Sequence, residues 1–481
     1  MMPDFHKSDL LIGGRDQKAQ SGEYFDVLSP ATEQVMGQSA RAGNADVELA
    51  VAAARQGYHE WSALAPKERE ATLLRAADLM ATTGEQRYLD LLMDESGSVI
   101  NKARHEIYYT VDLLRTAAGE VRRLYGDTFP NDNPARMSMV FREPLGVVGI
   151  VSPYNAPLAL LAKMTAFPLA AGNSVVIKPS EETPLIAVAF GKLLVEAGVP
   201  ANAVSVVTGF GQECGAPLVS HSGVDAIALT GSTATGQVIG AQAMQQMKRV
   251  QLELGGKSAL VVLKDFDPQQ AAEIAVQGMF NHAGQICMAN SRIVVEAPVF
   301  DAFCNAMKQA CENLKIGDQR DTECVYGPLI NRRAVEKVEA HLSDALQRGA
   351  TVLTGGKVKQ GLVFEPTVLL EPPRDSSAWR DESFGPMTSV VKAADFDEAI
   401  ALANDSEYGL SAGVLTRDIQ LGFKAARAIR SGAVHIGMHA FQSNAMAPVG
   451  GLGLSGMGRS GGHYSTDEFT ELKWISVELG Q

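Results

Sequence analysis

From residue 146 the chain repeats one pattern. Short β-branched runs stop at Pro, Gly, Ser or Thr and give way to helical segments such as 183 to 198. The first series is "GVVGIVSP", "NSVVIKPS", "AVSVVTG", "DAIALTG" and "KRVQLELGG". A second runs through "KSALVVL", "SRIVVE", "TVLL" and "SAGVLT". Apolar strands alternating with helices build parallel sheets covered on both faces. The expected fold class is therefore α/β, with two parallel-sheet, Rossmann-like units and a seam near residue 255. Ligands in such sheets collect at the carboxyl ends of the strands.

The first 120 residues read mostly as helices. Helical spacing of apolar residues covers 44 to 64, 66 to 83, 84 to 96 and 103 to 126. The stretch "DTFPNDNPARMSMVFREPLG" then reads as a loop and an exposed strand pair. At 481 residues, with 46% hydrophobic and 20% charged, the composition is globular. A net charge of −13 argues against nucleic acid as the main partner. No apolar stretch reaches the roughly 18 residues of a membrane span. The start, "MMPDFHKSDLLIGG", lacks a basic region and a long apolar run, so no signal peptide is expected. Five scattered cysteines make a poor disulfide framework and lack zinc-ligand spacing. The expectation is a reduced, cytoplasmic setting and no metal.

Several stretches could carry chemistry. In "NHAGQICMANSR" (281 to 292), Cys287 sits among small and polar residues, which suits a nucleophile that a substrate carbon must reach. A buried structural thiol is the other reading, and packing explains Cys304 and Cys311. In "LELGGK", Glu253 lies between apolar residues, where desolvation would raise its pKa toward a general base's range; a strand-end glutamate facing water is the alternative. Asn155 in "SPYNAPL" could donate its amide to an oxyanion or serve a turn. In "ALTGSTATG", Gly231 and Ser232 open a helix whose N–H groups suit a phosphate, or Ser232 is a plain N-cap. In "IKPSEETP", Lys178 and Glu181 could hold ribose hydroxyls or stand in a solvated loop. A carboxylate there would repel a 2′-phosphate, favouring NAD over NADP.

Together and in this order, "SPYNAPL", "IKPSEETP", "TGSTATG", "LELGGK", "GQICMANSR" and "ESFGP" resemble the aldehyde dehydrogenase superfamily over nearly the whole chain. The resemblance implies that Cys287 attacks the aldehyde, that Asn155 and the Cys287 N–H form the oxyanion hole, and that Glu253 activates water. It implies NAD as cofactor, with NADP possible. Lys178 and Glu181 would hold the adenosine ribose, and Ser232 the pyrophosphate. Glu382 and Phe384 would hold the nicotinamide ribose and ring. Ser152, Pro153, Tyr154, Gly211, Gly231 and Leu254 complete the implied cofactor site. It also implies a dinucleotide domain from 1 to 121 and 145 to 255, and a catalytic domain from 256 to 454. Segments 122 to 144 and 455 to 481 would supply strands that pair between subunits of a homodimer or homotetramer. Three departures stand out: Tyr154 where relatives often have Trp, Met164 where many have Lys, and "HIGM" with Gly437 where related sequences read "HING".

Among aldehydes, "YNAPL" and "VHIGM" resemble the branch that oxidises benzaldehyde, salicylaldehyde and vanillin. Ala156 and Asn281 stand where relatives place larger rings, opening volume beside the thiol. Tyr154, Ile286, Met288, Met438, Phe441 and Val449 are the expected walls. Lys163 could contact a substrate hydroxyl or carboxylate, so a semialdehyde such as succinate semialdehyde is the alternative, and a broad aliphatic range the next. A catalytically silent structural or binding protein would have lost Cys287, Glu253 or Asn155, and all three are present.

Overall fold

A computed structural model describes residues 6–479. The first five residues, part of the stretch read for a signal peptide, lie outside the described ones, as do the last two.

The two strand series form two sheets. The first has eight strands, in the order Gly456–Met457, Arg249–Glu253, Ala226–Thr230, Val147–Val151, Ser174–Lys178, Val204–Val206, Leu10–Ile12 and Arg15–Gln17. Its central five are parallel and its outer ones antiparallel. The chain starts at Val147–Val151, steps outward twice, then jumps back to Ala226–Thr230 on the other side. That reversal is a topological switch point, where loops leave the sheet in opposite directions and a crevice opens. The second sheet has seven strands: Thr351–Thr354, Thr367–Leu370, Met387–Ala393, Arg292–Glu296, Ala259–Val262, Ser411–Leu415 and Ala433–Ile436. All pairs are parallel except the first.

Only residues 254–258 join the last parallel strand of the first sheet to the first strand of the second. At about 3.3 Å per extended residue so short a link has little reach. The carboxyl ends of the first sheet therefore face the amino ends of the second. The carboxyl-end expectation holds for the first sheet alone, since the Cys287 loop precedes Arg292–Glu296 and lies at that strand's amino end.

The first forty residues depart from the helical expectation. They form five short strands: His6–Ser8, Leu10–Ile12, Arg15–Gln17, Tyr24–Leu28 and Val35–Ala40. Runs of three to six residues are too short to display a period. The Gly13-Gly14 turn, with φ of +60° and +72°, is a two-residue hairpin signal that the sequence did contain. The helical expectations fare better. Helices span Asn44–Ser62, Pro66–Ser96 and Ile100–Glu120, the last extended by a 3₁₀ turn at Val121–Arg123. The second is continuous through Gly84, which faces the Ile107 side chain of the third.

Strands Arg136–Pro144 and Thr470–Glu478 pair antiparallel with each other over nine residues, flanked by Thr128–Phe129. Within the chain these two segments pair with each other. One chain's tail can fold back along its own strand because the register from Thr470 to Glu478 is unbroken.

Candidate active site

Above the switch point lies a cavity of about 400 Å³ where the two sheets meet. Cys287, Asn155 and Glu253 all line it, and each arrives from a different element. Asn155 sits in the loop after Val147–Val151. Glu253 ends its own strand, and its carbonyl accepts the Gly231 N–H at 3.0 Å. Cys287 follows a 3₁₀ turn, Asn281–Gly284, in which His282 and Ala283 hold left-handed backbone with φ of 51° and 55°. Such angles cost on the order of 1–3 kcal/mol each, and the surrounding bonds enforce them. Gln285 is fully buried, its amide donating to the His282 carbonyl (3.2 Å) and accepting from the Ile330 N–H (3.0 Å). A Cβ on Gly256 would come within 2.2 Å of the Cys287 carbonyl oxygen, so this glycine of "LELGGK" lets the two loops of the site close together.

The thiol is half-buried. Burial, then the charges of Glu382 and Glu253, push it up to about 12, while Lys163 and the residue's own backbone N–H act in the opposite sense. At neutral pH this thiol carries its proton. Burial also raises Glu253, against the pull of Lys163 and Arg459. Lys163 Nζ lies 3.6 Å from Glu253 Oε1, and the Ser460 hydroxyl donates to the same oxygen. The Asn155 amide donates to the Gln285 carbonyl at 2.8 Å.

A second layer went unread in the sequence. Helix Ile100–Glu120 sends Lys102, His105, Glu106 and Tyr109 to the cavity. Glu106 accepts the N–H groups of Leu158 (2.8 Å) and Ala159 (3.1 Å), and it pairs with Lys102 at 2.5 Å. Lys102 donates in turn to the backbone carbonyl of Asn155 at 2.8 Å. The signal was present: Glu106 shares a face with Ala103, Ile107 and Thr110, all buried, and a charge on the buried face of a helix calls for a partner. Cys324 is buried and yet lines the cavity with Thr322, Glu323 and Val325.

Of the expected walls, Ala156, Lys163, Asn281, Ile286, Met288, Phe441 and Val449 line the cavity. Met438 does not. It follows the left-handed turn at Gly437 (φ +75°) and is 45% exposed. Tyr154 also leaves the wall, its ring meeting Phe384 edge-on at 5.9 Å. Phe384 holds a left-handed φ of 52°, and Glu382 accepts the Gly256 N–H at 2.9 Å.

At the carboxyl ends of the first sheet, Ser152 and Lys178 are buried and joined through backbone (3.1 Å), with Pro153 following. Among the described residues Lys178 Nζ makes one hydrogen bond, 3.3 Å to the exposed Glu181. Ser232 is the N-cap of helix Thr233–Met244, its hydroxyl accepting from Thr235 N at 3.2 Å. Gly231 precedes it. Leu254 reaches the cavity wall, and Gly211 starts an exposed turn with open space at its Cα. Among the described residues no helix is long and apolar enough to cross a membrane, and no His, Cys, Asp and Glu side chains converge as a metal site.

Such a doubly wound sheet, opening onto a cleft that holds a thiol, is an architecture that can set a dinucleotide beside a nucleophile. The sequence profile of the aldehyde dehydrogenase family matches residues 17–475. The chain is 36% identical over 473 residues to glutarate-semialdehyde dehydrogenase of Pseudomonas putida, covering 98% of each. It is also 36% identical over 474 residues to vanillin dehydrogenase of a Pseudomonas species, again covering 98% of each. A solved Escherichia coli structure, described as an NADP-dependent enzyme, superposes with a TM-score of 0.96 at 36% identity over 98% of both chains. The chain belongs to the aldehyde dehydrogenase family, and it is an aldehyde-oxidising enzyme that uses NAD or NADP. The residues present fit such a cofactor. A buried lysine ammonium with one hydrogen bond has donors to spare, and the twelve-residue helix behind Ser232 presents its free N–H end.

Proposed function

We propose that this enzyme oxidises an uncharged, flat aldehyde of the aromatic class to its carboxylic acid, with NAD preferred. The observation that carries the substrate reading concerns the two lysines on the cavity wall. Lys163 is paired with Glu253, and Lys102 with Glu106, Ser98 and the Asn155 carbonyl. A substrate carboxylate would have to compete with these partners for either ammonium. The remaining walls are largely apolar: Val99, Ala156, Leu160, Ile286, Met288, Phe441 and Val449. Burying a carboxylate there without a partner would be costly, whereas an aryl ring would be welcome.

In this reading the Cys287 thiol gives its proton to the Glu253 carboxylate, which releases it to solvent, and the sulfur bonds to the carbonyl carbon. The new oxyanion is met by Asn155, whose second amide N–H has no partner among the described residues, and by the Cys287 backbone N–H. A bound nicotinamide would supply the hydride acceptor that turns this adduct into a thioester on the sulfur. Glu253 then takes a proton from water, the resulting hydroxide attacks the thioester carbon, and the acid departs as the C–S bond breaks. Glu382, Phe384 and Tyr154 flank the nicotinamide end. Lys178, Glu181 and Ser232 hold the ribose and pyrophosphate, with Ser152, Pro153, Gly211, Gly231 and Leu254 lining the groove. The exposed Glu181 carboxylate supports NAD, because it would repel a 2′-phosphate.

The test is a comparison of kcat/KM for benzaldehyde, succinate semialdehyde and hexanal, with NAD and NADP run side by side. Benzaldehyde with NAD is expected to lead. Preference for the charged semialdehyde would defeat the aromatic reading.

Assembly belongs to the same proposal. Leu472, Trp474, Ile475, Val477, Met137, Phe141 and Phe129 are exposed on the three-stranded sheet. An apolar surface of this kind is normally covered, which supports a homodimer or homotetramer through this arm.

A further inference from the structure

We propose that Lys163 is a positioning residue for Glu253, clamping that carboxylate together with Ser460 rather than binding the substrate. The inference rests on Glu253 being the base that activates water.

The clamp is built from two directions. Lys163 is only 5% exposed and reaches Glu253 Oε1 from helix Ala159–Ala171, while the Ser460 hydroxyl donates to the same oxygen from the C-terminal segment. No other acidic side chain pairs with Lys163 among the described residues. The neighbouring Met164 points elsewhere, its sulfur accepting the Thr230 hydroxyl at 3.3 Å, as consecutive helix residues diverge by about 100°. Lys163 lines the cavity and Met164 does not. The positive charge thus meets the base on its cavity side.

Other groups face the same carboxylate. Tyr109 comes from helix Ile100–Glu120, Cys287 from the nucleophile loop, and Arg459 from the segment beside Ser460. Of these, Lys163 makes the contact and opposes burial most strongly. A base must be ionised to act, so activity fails as pH falls through its pKa. Without Lys163 that pKa rises, and failure begins at higher pH.

The experiment uses Lys163→Met, Lys163→Arg, Ser460→Ala and Glu253→Gln in the full-length enzyme with NAD. Each is followed by pH profiles of kcat, by the NADH burst and by intact-mass detection of acyl-enzyme. Lys163→Met is expected to shift the acid limb upward by about one pH unit, with turnover after the burst slowed about tenfold or more at neutral pH. Acyl-enzyme should accumulate and raising the pH should restore turnover. Lys163→Arg should keep the wild-type limb. Ser460→Ala should move the limb in the same direction by less, and it serves alone if Lys163→Met does not fold. Benzaldehyde and succinate semialdehyde should lose kcat/KM in parallel. An unmoved limb in Lys163→Met, or in Ser460→Ala where that variant stands alone, overturns the clamp. So does a selective rise in KM for the semialdehyde. If instead Glu253→Gln turns over normally, the underlying assignment of the base has failed, and that outcome is separate from the others.

Discussion

Asn155 shows how closely one side chain is specified. Its amide is tied to Gln285, its backbone to Lys102, and what remains is a single N–H at the cavity. Asn155→Ala is expected to lower kcat on the order of 10²–10³ while NAD affinity, followed by fluorescence titration, stays unchanged. Equal turnover would remove Asn155 from the oxyanion hole. Cys287 was legible because small neighbours are a local property of sequence. Its raised pKa was not, since it depends first on burial and then on Glu382 and Glu253, all set by tertiary packing. Tyr154 and Met438 were misplaced for a related reason. An aromatic or long apolar residue near a motif says nothing of which way the backbone turns, and the turns at Gly437 and Phe384 decided it.

At the scale of elements, the buried pair Lys102–Glu106 fixes two helices and the loop between sheet and helix. Glu106 caps the start of the helix that carries Lys163. Glu106→Ala would take the counter-charge from the part-buried Lys102 ammonium and free two N–H groups. Breaking such a pair costs about 3–5 kcal/mol, to be read as a lower denaturant midpoint. A change within experimental error would mean that solvent reaches this pair. Long periodic helices and apolar strands were readable because their patterns extend over many residues. The N-terminal strands were not, because runs of three to six residues show no period, and Leu10–Ile12 joins the main sheet through Val204–Val206 far along the chain. Glu106 itself is a case where the pattern was visible and its partner was not.

For the molecule as a whole, the active site is a consequence of order along the chain. A five-residue link presses the end of one sheet against the beginning of the next, and the cavity is what lies between. The exposed arm extends away from that centre. Leu472→Asp with Trp474→Asp, both at exposed positions, is expected to dissociate the assembly in sedimentation velocity while the single chain stays folded. A wild-type protein sedimenting as one chain would refute assembly through the arm. That the arm's two main strands come from one chain was not deducible beforehand, since alternation identifies a strand but not its partner.

The most direct test of the account is whether Cys287 carries the acyl group. Glu253→Gln, mixed with benzaldehyde and NAD, quenched in acid and digested, should yield a benzoyl thioester on the peptide containing Cys287, formed only when NAD is present. An unmodified Cys287 peptide alongside NADH production, or acylation of Cys324 instead, would contradict it.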